Sequence, residues 1–136
     1  MTNVKKIGNE FEKDFTLMLK NAGFWAHLMK ASASGQPADV IAAKNNTACL
    51  IDCKTCEDDI FKLSRVEPNQ ITAMKMWRGR VNSETWFALK LHTGEVKMLD
   101  YELYLAYVRK GIKSIDKFDM RSLPTFQEWA DAWEVF

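Results

Sequence analysis

The chain is poor in the residues that staple or break a fold. It has three cysteines, three prolines and six glycines in 136 residues. An odd cysteine count with no secretory signal argues against a disulfide framework. No apolar run approaches the ~18–20 residues that cross a bilayer, which excludes a membrane-spanning helix. The opening MTNVKKIGNEFEKDF carries too much charge for the apolar centre of a signal peptide. A reducing cytoplasm, bacterial or of a phage-infected host, is therefore the expected compartment. Neither sign of charge dominates: 19 Lys and Arg stand against 18 Asp and Glu, so net charge names no partner. There is no internal repeat and no low-complexity segment.

What is present is an ordinary globular mix, 47% hydrophobic and 27% charged, long enough for one domain with one substantial core. The expected domain is 1–136, with a core over about 3–99 and a helical extension over about 100–136. Val4, Ile7, Phe11, Phe15 and Leu19 step along one face of a helix from Asn3 to Ala22, stopped by Gly23. Phe24 to Met29 suits a strand, and Lys30 to Gln36 reads as a loop. Asp39 to Lys44 and Ala48 to Lys54 read as two strands joined by Asn45-Asn46, residues that tolerate positive φ. Thr55 to Glu67 is charged and irregular. Pro68 opens a helix to about Arg78, with Ile71, Met74 and either Met76 or Trp77 facing inward. Thr85 to His92 and Glu95 to Leu99 are strands around a Thr93-Gly94 turn. Asp100 caps a helix that Gly111 ends, and Thr125-Phe126-Gln127-Glu128 has capping-box spacing for a last helix. Phe126, Trp129 and Trp133 of that helix pack onto the core or onto a second subunit. Helix, three strands, helix, two strands and helices make an α/β or α+β sheet with helices packed on it.

The hairpin carries the chemistry. A symmetric Asn45-Asn46 loop pairs residues whose numbers sum to 91, which sets Ile41 opposite Leu50 and Asp39 opposite Asp52. Directly opposed side chains share a face, roughly 5 Å apart at Cβ, and like charges so placed repel. Lys54, two residues past Asp52, projects from the same face. Two carboxylates and an ammonium on one patch suit a hard divalent cation with oxygen ligands and a lysine beside it.

The spacing Pro37-Ala38-Asp39, twelve residues, then Asp52-Cys53-Lys54 resembles the motif of the restriction-endonuclease-like nuclease superfamily, with Ala38 as a small departure. The element order from Asn3 to His92 is also similar to that superfamily's. Gly8-Asn-Glu-Phe-Glu12 has the Gly-x-x-x-Glu spacing of the first helix in Holliday-junction-resolvase-like members. The Ser32-Ala33-Ser34-Gly35 loop resembles theirs, and Gln70 resembles a Gln of some branches. The resemblance implies an αβββαβ core with a mixed central sheet flanked by helices. It implies a metal-dependent DNA endonuclease, most simply an archaeal-type or phage Holliday junction resolvase serving recombination and repair.

Under that resemblance Glu12, Asp39, Asp52 and Lys54 are catalytic. Asp39, Asp52 and the Cys53 carbonyl hold Mg²⁺, with Mn²⁺ able to substitute. Glu12, rather than nearby Glu10, takes a second metal or a metal-bound water. Lys54 orients the nucleophile or steadies transition-state charge. Lys5, Lys6, Ser34, Lys62, Arg65, Gln70, Arg78 and Arg80 contact branched or duplex DNA, and the two-fold symmetry of a junction implies a homodimer. A basic stretch over 62–80 followed by an acidic one after 116 is compatible with this, and with two solvated helix faces. The alternatives are another nuclease of the same fold, or a DNA-binding module without catalysis. Cys53-x-x-Cys56 also invites a thiol-redox or zinc reading. Zinc would need two further ligands from Cys49, His27 and His92, and burial as small apolar groups is the simpler role.

Overall fold

Helix α1 (Asn3–Asn21) and a last helix, α5 (Phe126–Ala132), pack on the same face of one sheet, although the chain's two ends supply them. The computed structural model describes residues 3–30, 36, 38–80 and 83–133. Ser34, Pro37 and the side chains of Lys5 and Lys6 lie outside that description. Between the two helices come β1 (Trp25–Leu28), β2 (Val40–Lys44), β3 (Thr47–Cys56), β4 (Phe61–Lys62), α2 (Pro68–Arg78), β5 (Ser83–Leu91), β6 (Val96–Asp100), α3 (Tyr101–Arg109), β7 (Ser114–Ile115) and α4 (Lys117–Met120).

Five strands form one mixed sheet in the order β1-β2-β3-β5-β6. β3 and β5 are parallel and α2 makes the crossover between them, as a parallel pair requires. The other pairings are antiparallel. Residue parity on β3 divides the core. Cys49 and Ile51 join Val40, Ala42, Ala88 and Met98 beneath Phe11, Phe15 and Leu19 of α1 and the α5 aromatics. Leu50 and Cys56 join Phe87, Leu89 and Leu99 beneath Met74 of α2 and Tyr101 and Tyr104 of α3. The resolved alternative is plain: Phe126, Trp129 and Trp133 lie in the core of their own chain.

The hairpin forms as the sequence predicts. Its pairs run from Lys44↔Thr47 to Val40↔Ile51, each summing to 91. Asn45 and Asn46 take φ of 52° and 67°, the doubly left-handed turn whose twist matches a hairpin. Two expectations need correction. Asp39 is not the first strand residue; it sits just before β2, with its N–H donating to Ile51 O at 3.1 Å. The Thr55–Glu67 stretch expected to be irregular contains β4, which pairs with β7 as a second, two-stranded sheet, and a 3₁₀ turn at Leu63–Arg65; the one-turn α4 follows β7. Two-residue strands are too short to show a period, so no alternation announces them. On α2, Met74 is buried and Trp77 packs inward, while Met76 is exposed.

Candidate active site

The site forms where β2 ends and the longer β3 runs on. Beyond Val40 the ladder has no further strand pair, and the Asp39 side chain takes over the next bond: its Oδ2 accepts the Cys53 N–H at 2.7 Å. The Asp39 carbonyl accepts the Met29 N–H at 2.8 Å, and Oδ1 accepts from the Gln36 amide. Asp39 is thus held from three sides. Asp52, on the same face, is fully buried. Its Oδ1 accepts from Gln70 Nε2 at 2.9 Å. Its Oδ2 lies 3.0 Å from Lys54 Nζ, yet off the direction of a hydrogen bond, so this buried oxygen has no hydrogen-bond partner among the described residues. Gln70 Oε1 in turn accepts the Glu67 N–H at 3.0 Å and faces Lys54 Nζ at 3.4 Å.

The electrostatics follow from burial. Removal from water pushes the Asp52 carboxyl well above the usual carboxylate range, and Asp39 adds to this while Lys54 opposes it. Two carboxylates offer each other acceptors alone, so a shared proton or a cation is what reconciles them. Glu12 lies one step past buried Phe11 on α1, at the margin of the apolar stripe, and is half-buried. Desolvation first, then Asp39, raises its pKa to about 7, against the pull of Lys54. Glu10 is exposed, so Glu12 is the helix carboxylate that senses the pair.

The model of the archaeal Holliday junction resolvase (Hjc) family matches residues 3–129. The chain belongs to that family. No curated protein matches the sequence. Among solved structures, the 1.6 Å structure of Hjc from Archaeoglobus fulgidus, a Holliday junction resolvase from an archaeal hyperthermophile, superposes with a TM-score of 0.68 at 19% identity. The match covers 91% of this chain and 95% of that one, which shows a shared restriction-endonuclease-like fold. As an Hjc-family member the chain is a junction-resolving nuclease, and resolvases of this fold depend on a divalent metal.

Does this Hjc-family site fit such a metal? The buried, unsatisfied Oδ2 of Asp52 beside Asp39 is an all-oxygen, anionic pair, the donor chemistry of a hard cation. Among the described residues no three His, Cys, Asp or Glu side chains are gathered into a ready-made cage. Glu12 therefore does not close with the two aspartates as a third direct ligand in this state. The pair fits a cation that keeps several waters, as Mg²⁺ does.

The expected DNA contacts of this Hjc-family chain scatter. Lys62 is exposed on β4. Arg65 is exposed and donates to Thr55 O at 2.7 Å. Arg78 is paired with Asp100 at 3.3 Å and Glu102 at 3.5 Å, and Arg80 is exposed. Gln70, 7% exposed, turns inward and donates to Asp52 Oδ1 at 2.9 Å. Cys53 and Cys56, three apart on a strand, pack in opposite cores, and all three cysteines are free thiols. Burial pushes the Cys49 and Cys53 thiols well up and Cys56 to about 11, against any thiolate ligand or redox role. The sequence reading missed Gln36 and the Cys53 N–H as partners of Asp39. The first lies in an unpatterned loop, and the second is a main-chain group that no residue type advertises.

Proposed function

We propose that the chain is a Mg²⁺-dependent endonuclease that cuts four-way DNA junctions as a homodimer in prokaryotic or phage recombination, with Asp39, Asp52 and Lys54 at its centre. The observation that supports it most is the buried aspartate pair with an unsatisfied oxygen and a lysine at 3.0 Å. Asp39, Asp52 and the Cys53 carbonyl would hold the metal, and Mn²⁺ would serve in its place. Bound there, the ion lowers the pKa of a water and neutralises phosphate charge. The chain's own groups do the rest. Gln36 and the Cys53 N–H fix the Asp39 carboxylate. Lys54 offers its ammonium to the charge that grows on the phosphate. Glu12, with a pKa of about 7, holds or releases a proton near neutral pH at the edge of the site, where it can accept one from an attacking water. Lys62, Arg65 and Arg80 on exposed ground, with Lys5, Lys6 and Ser34, are proposed phosphate contacts that orient rather than read the DNA.

The test pairs substrates with metals: four-way junction, linear duplex and single strand, each with Mg²⁺, Mn²⁺ or a chelator. Symmetric cutting of the junction alone, with either ion, by a protein that sediments as a dimer is expected. No cutting of any substrate would sink the proposal, and equal cutting of linear duplex would remove the junction preference from it.

A linkage prediction accompanies this. The Glu12 pKa rises from 4.5 unfolded to about 7 folded, so the native state holds the proton more tightly. Its contribution to stability is complete below pH 4.5 and is lost as pH climbs through 7. Asp116 and Glu128, whose pKa values are lowered, act only below that window. The metal-free protein is expected to melt lower at pH 8 than at pH 5. Mg²⁺ at about 100 times its Kd should restore ~2.7 kcal/mol at pH 8, a rise of roughly 10 °C for a domain of this size. It should do far less at pH 5, because burial raises the proton affinity of the Asp52 carboxyl and a proton there competes with the ion. Melting curves at both values, with and without Mg²⁺, check this; an equal shift at both would contradict it.

A further inference from the structure

Among the described residues, buried Gln70 is hydrogen-bonded to Asp52 and faces Lys54, and neither the family match nor the structural likeness assigns it a part. We infer that Gln70 is a positioning residue for the cleavage reaction: its amide fixes which oxygen of Asp52 is presented and where Lys54 stands. The inference rests on the proposed metal-nuclease reading of the same site.

Hydrogen-bond polarity fixes the orientation of the Gln70 amide. An amide has a donor end and an acceptor end, and here each meets what only it can satisfy. Nε2 donates to Asp52 Oδ1 at 2.9 Å. Oε1 accepts the Glu67 N–H at 3.0 Å and faces Lys54 Nζ at 3.4 Å. Reversing the amide would set its oxygen against a carboxylate and its NH₂ against an N–H and an ammonium, so the orientation is unique. The ring closes through Lys54 Nζ and Asp52 Oδ2 at 3.0 Å. With Oδ1 occupied by Gln70, Oδ2 is the oxygen left without a hydrogen bond among the described residues. Gln70 thereby selects the ligand atom. It is itself the third residue of a helix that begins at Pro68, and Met74, one turn further on, packs that helix against the sheet. A partner that orients a metal-binding carboxylate is worth about 10- to 100-fold in metal affinity or activity when removed.

The experiment uses the full chain. Gln70→Met keeps the length and bulk of the side chain but has neither donor nor acceptor of comparable strength; Gln70→Ala repeats the measurement with a smaller residue. Met74→Ala is the control, since it loosens the same helix without touching Asp52, Lys54 or Gln70. Three quantities are read well below the melting temperatures of all variants: kcat and KM on a four-way junction, and Mn²⁺ affinity by calorimetry without DNA. Both Gln70 variants are expected to lower kcat and Mn²⁺ affinity by about 10- to 100-fold with KM within about threefold. Met74→Ala is expected to lower the melting temperature while keeping all three. The inference is overturned if Gln70→Met binds Mn²⁺ and turns over as wild type does, or if Met74→Ala reproduces its losses. Wild-type protein that neither cuts junctions nor binds Mn²⁺ would count against the metal-nuclease reading itself, a separate outcome.

Discussion

Asp52→Asn is expected to cut junction cleavage by ~10³-fold or more, since a bound metal supplies several kcal/mol and each 1.36 kcal/mol is tenfold. Binding of the junction without divalent metal should stay within a few-fold of wild type. The fold should survive as well, for a specific reason. Burial and Asp39 already drive the Asp52 carboxyl toward its neutral form in the metal-free protein, and an asparagine amide is close to that form in shape. Its Oδ1 can still accept from Gln70, while the NH₂ that replaces Oδ2 forgoes the Lys54 ammonium at 3.0 Å, so a somewhat lowered but still cooperative melt is expected. Most buried-charge substitutions confuse stability with chemistry; this one separates them. Gel assays of cleavage beside melting curves and junction binding provide the check. Cleavage within tenfold of wild type would take Asp52 out of the site, and an unfolded variant would make its role structural.

The second large effect lies at the far end of the chain. Trp129→Ala is expected to cost about 3–5 kcal/mol, the range for removing a buried Trp or Phe, from a total near 5–15 kcal/mol. Trp129 is 3% exposed. It stacks on Phe24 with ring centroids 5.4 Å apart and planes 9° from parallel. Edge contacts with Trp86 and Trp133, at 5.9 and 5.5 Å, and a tilted contact with Phe126 at 5.8 Å complete its surroundings. Its ring joins α5 to the strand start after α1, so its loss would loosen both ends of the chain together. Urea titration measures the cost; less than 1 kcal/mol would mean that α5 is no part of the cooperative core.

How legible was all this beforehand? Asp52 and Lys54 could be placed because strand parity and a two-residue turn are local rules, and the observed register obeys them. Glu12 could be found only through the resemblance, since a glutamate on a charged helix has no local mark of function. Gln70 was singled out, but its bond to Asp52 could not be foreseen: a polar residue early in a helix looks solvated until the sheet it packs on is known. The α5 aromatics gave apolar spacing but not their partner, because Phe24 lies about a hundred residues before Trp129 and Trp86 about forty. The β4–β7 pair was invisible for a similar reason, as each strand is defined only by the other.

The turn at Asn45 and Asn46 has a consequence for insertions and deletions. It stands six residues from Asp52, roughly 20 Å along an extended strand, and touches nothing in the site. Yet alternation has a period of two, so adding or removing one residue between Lys44 and Thr47 would slip the pairing by a single step. Ile51 or Cys53 would then take the place of Asp52 opposite Asp39, and a carboxylate would be driven under the aromatic roof of Phe11 and Phe15. A slip of two would keep the faces in phase but set Leu50 or Lys54 opposite Asp39. Length variation in this loop is therefore tolerated only where Lys44 stays paired with Thr47, and a surface turn far from the chemistry sets the register on which the chemistry depends.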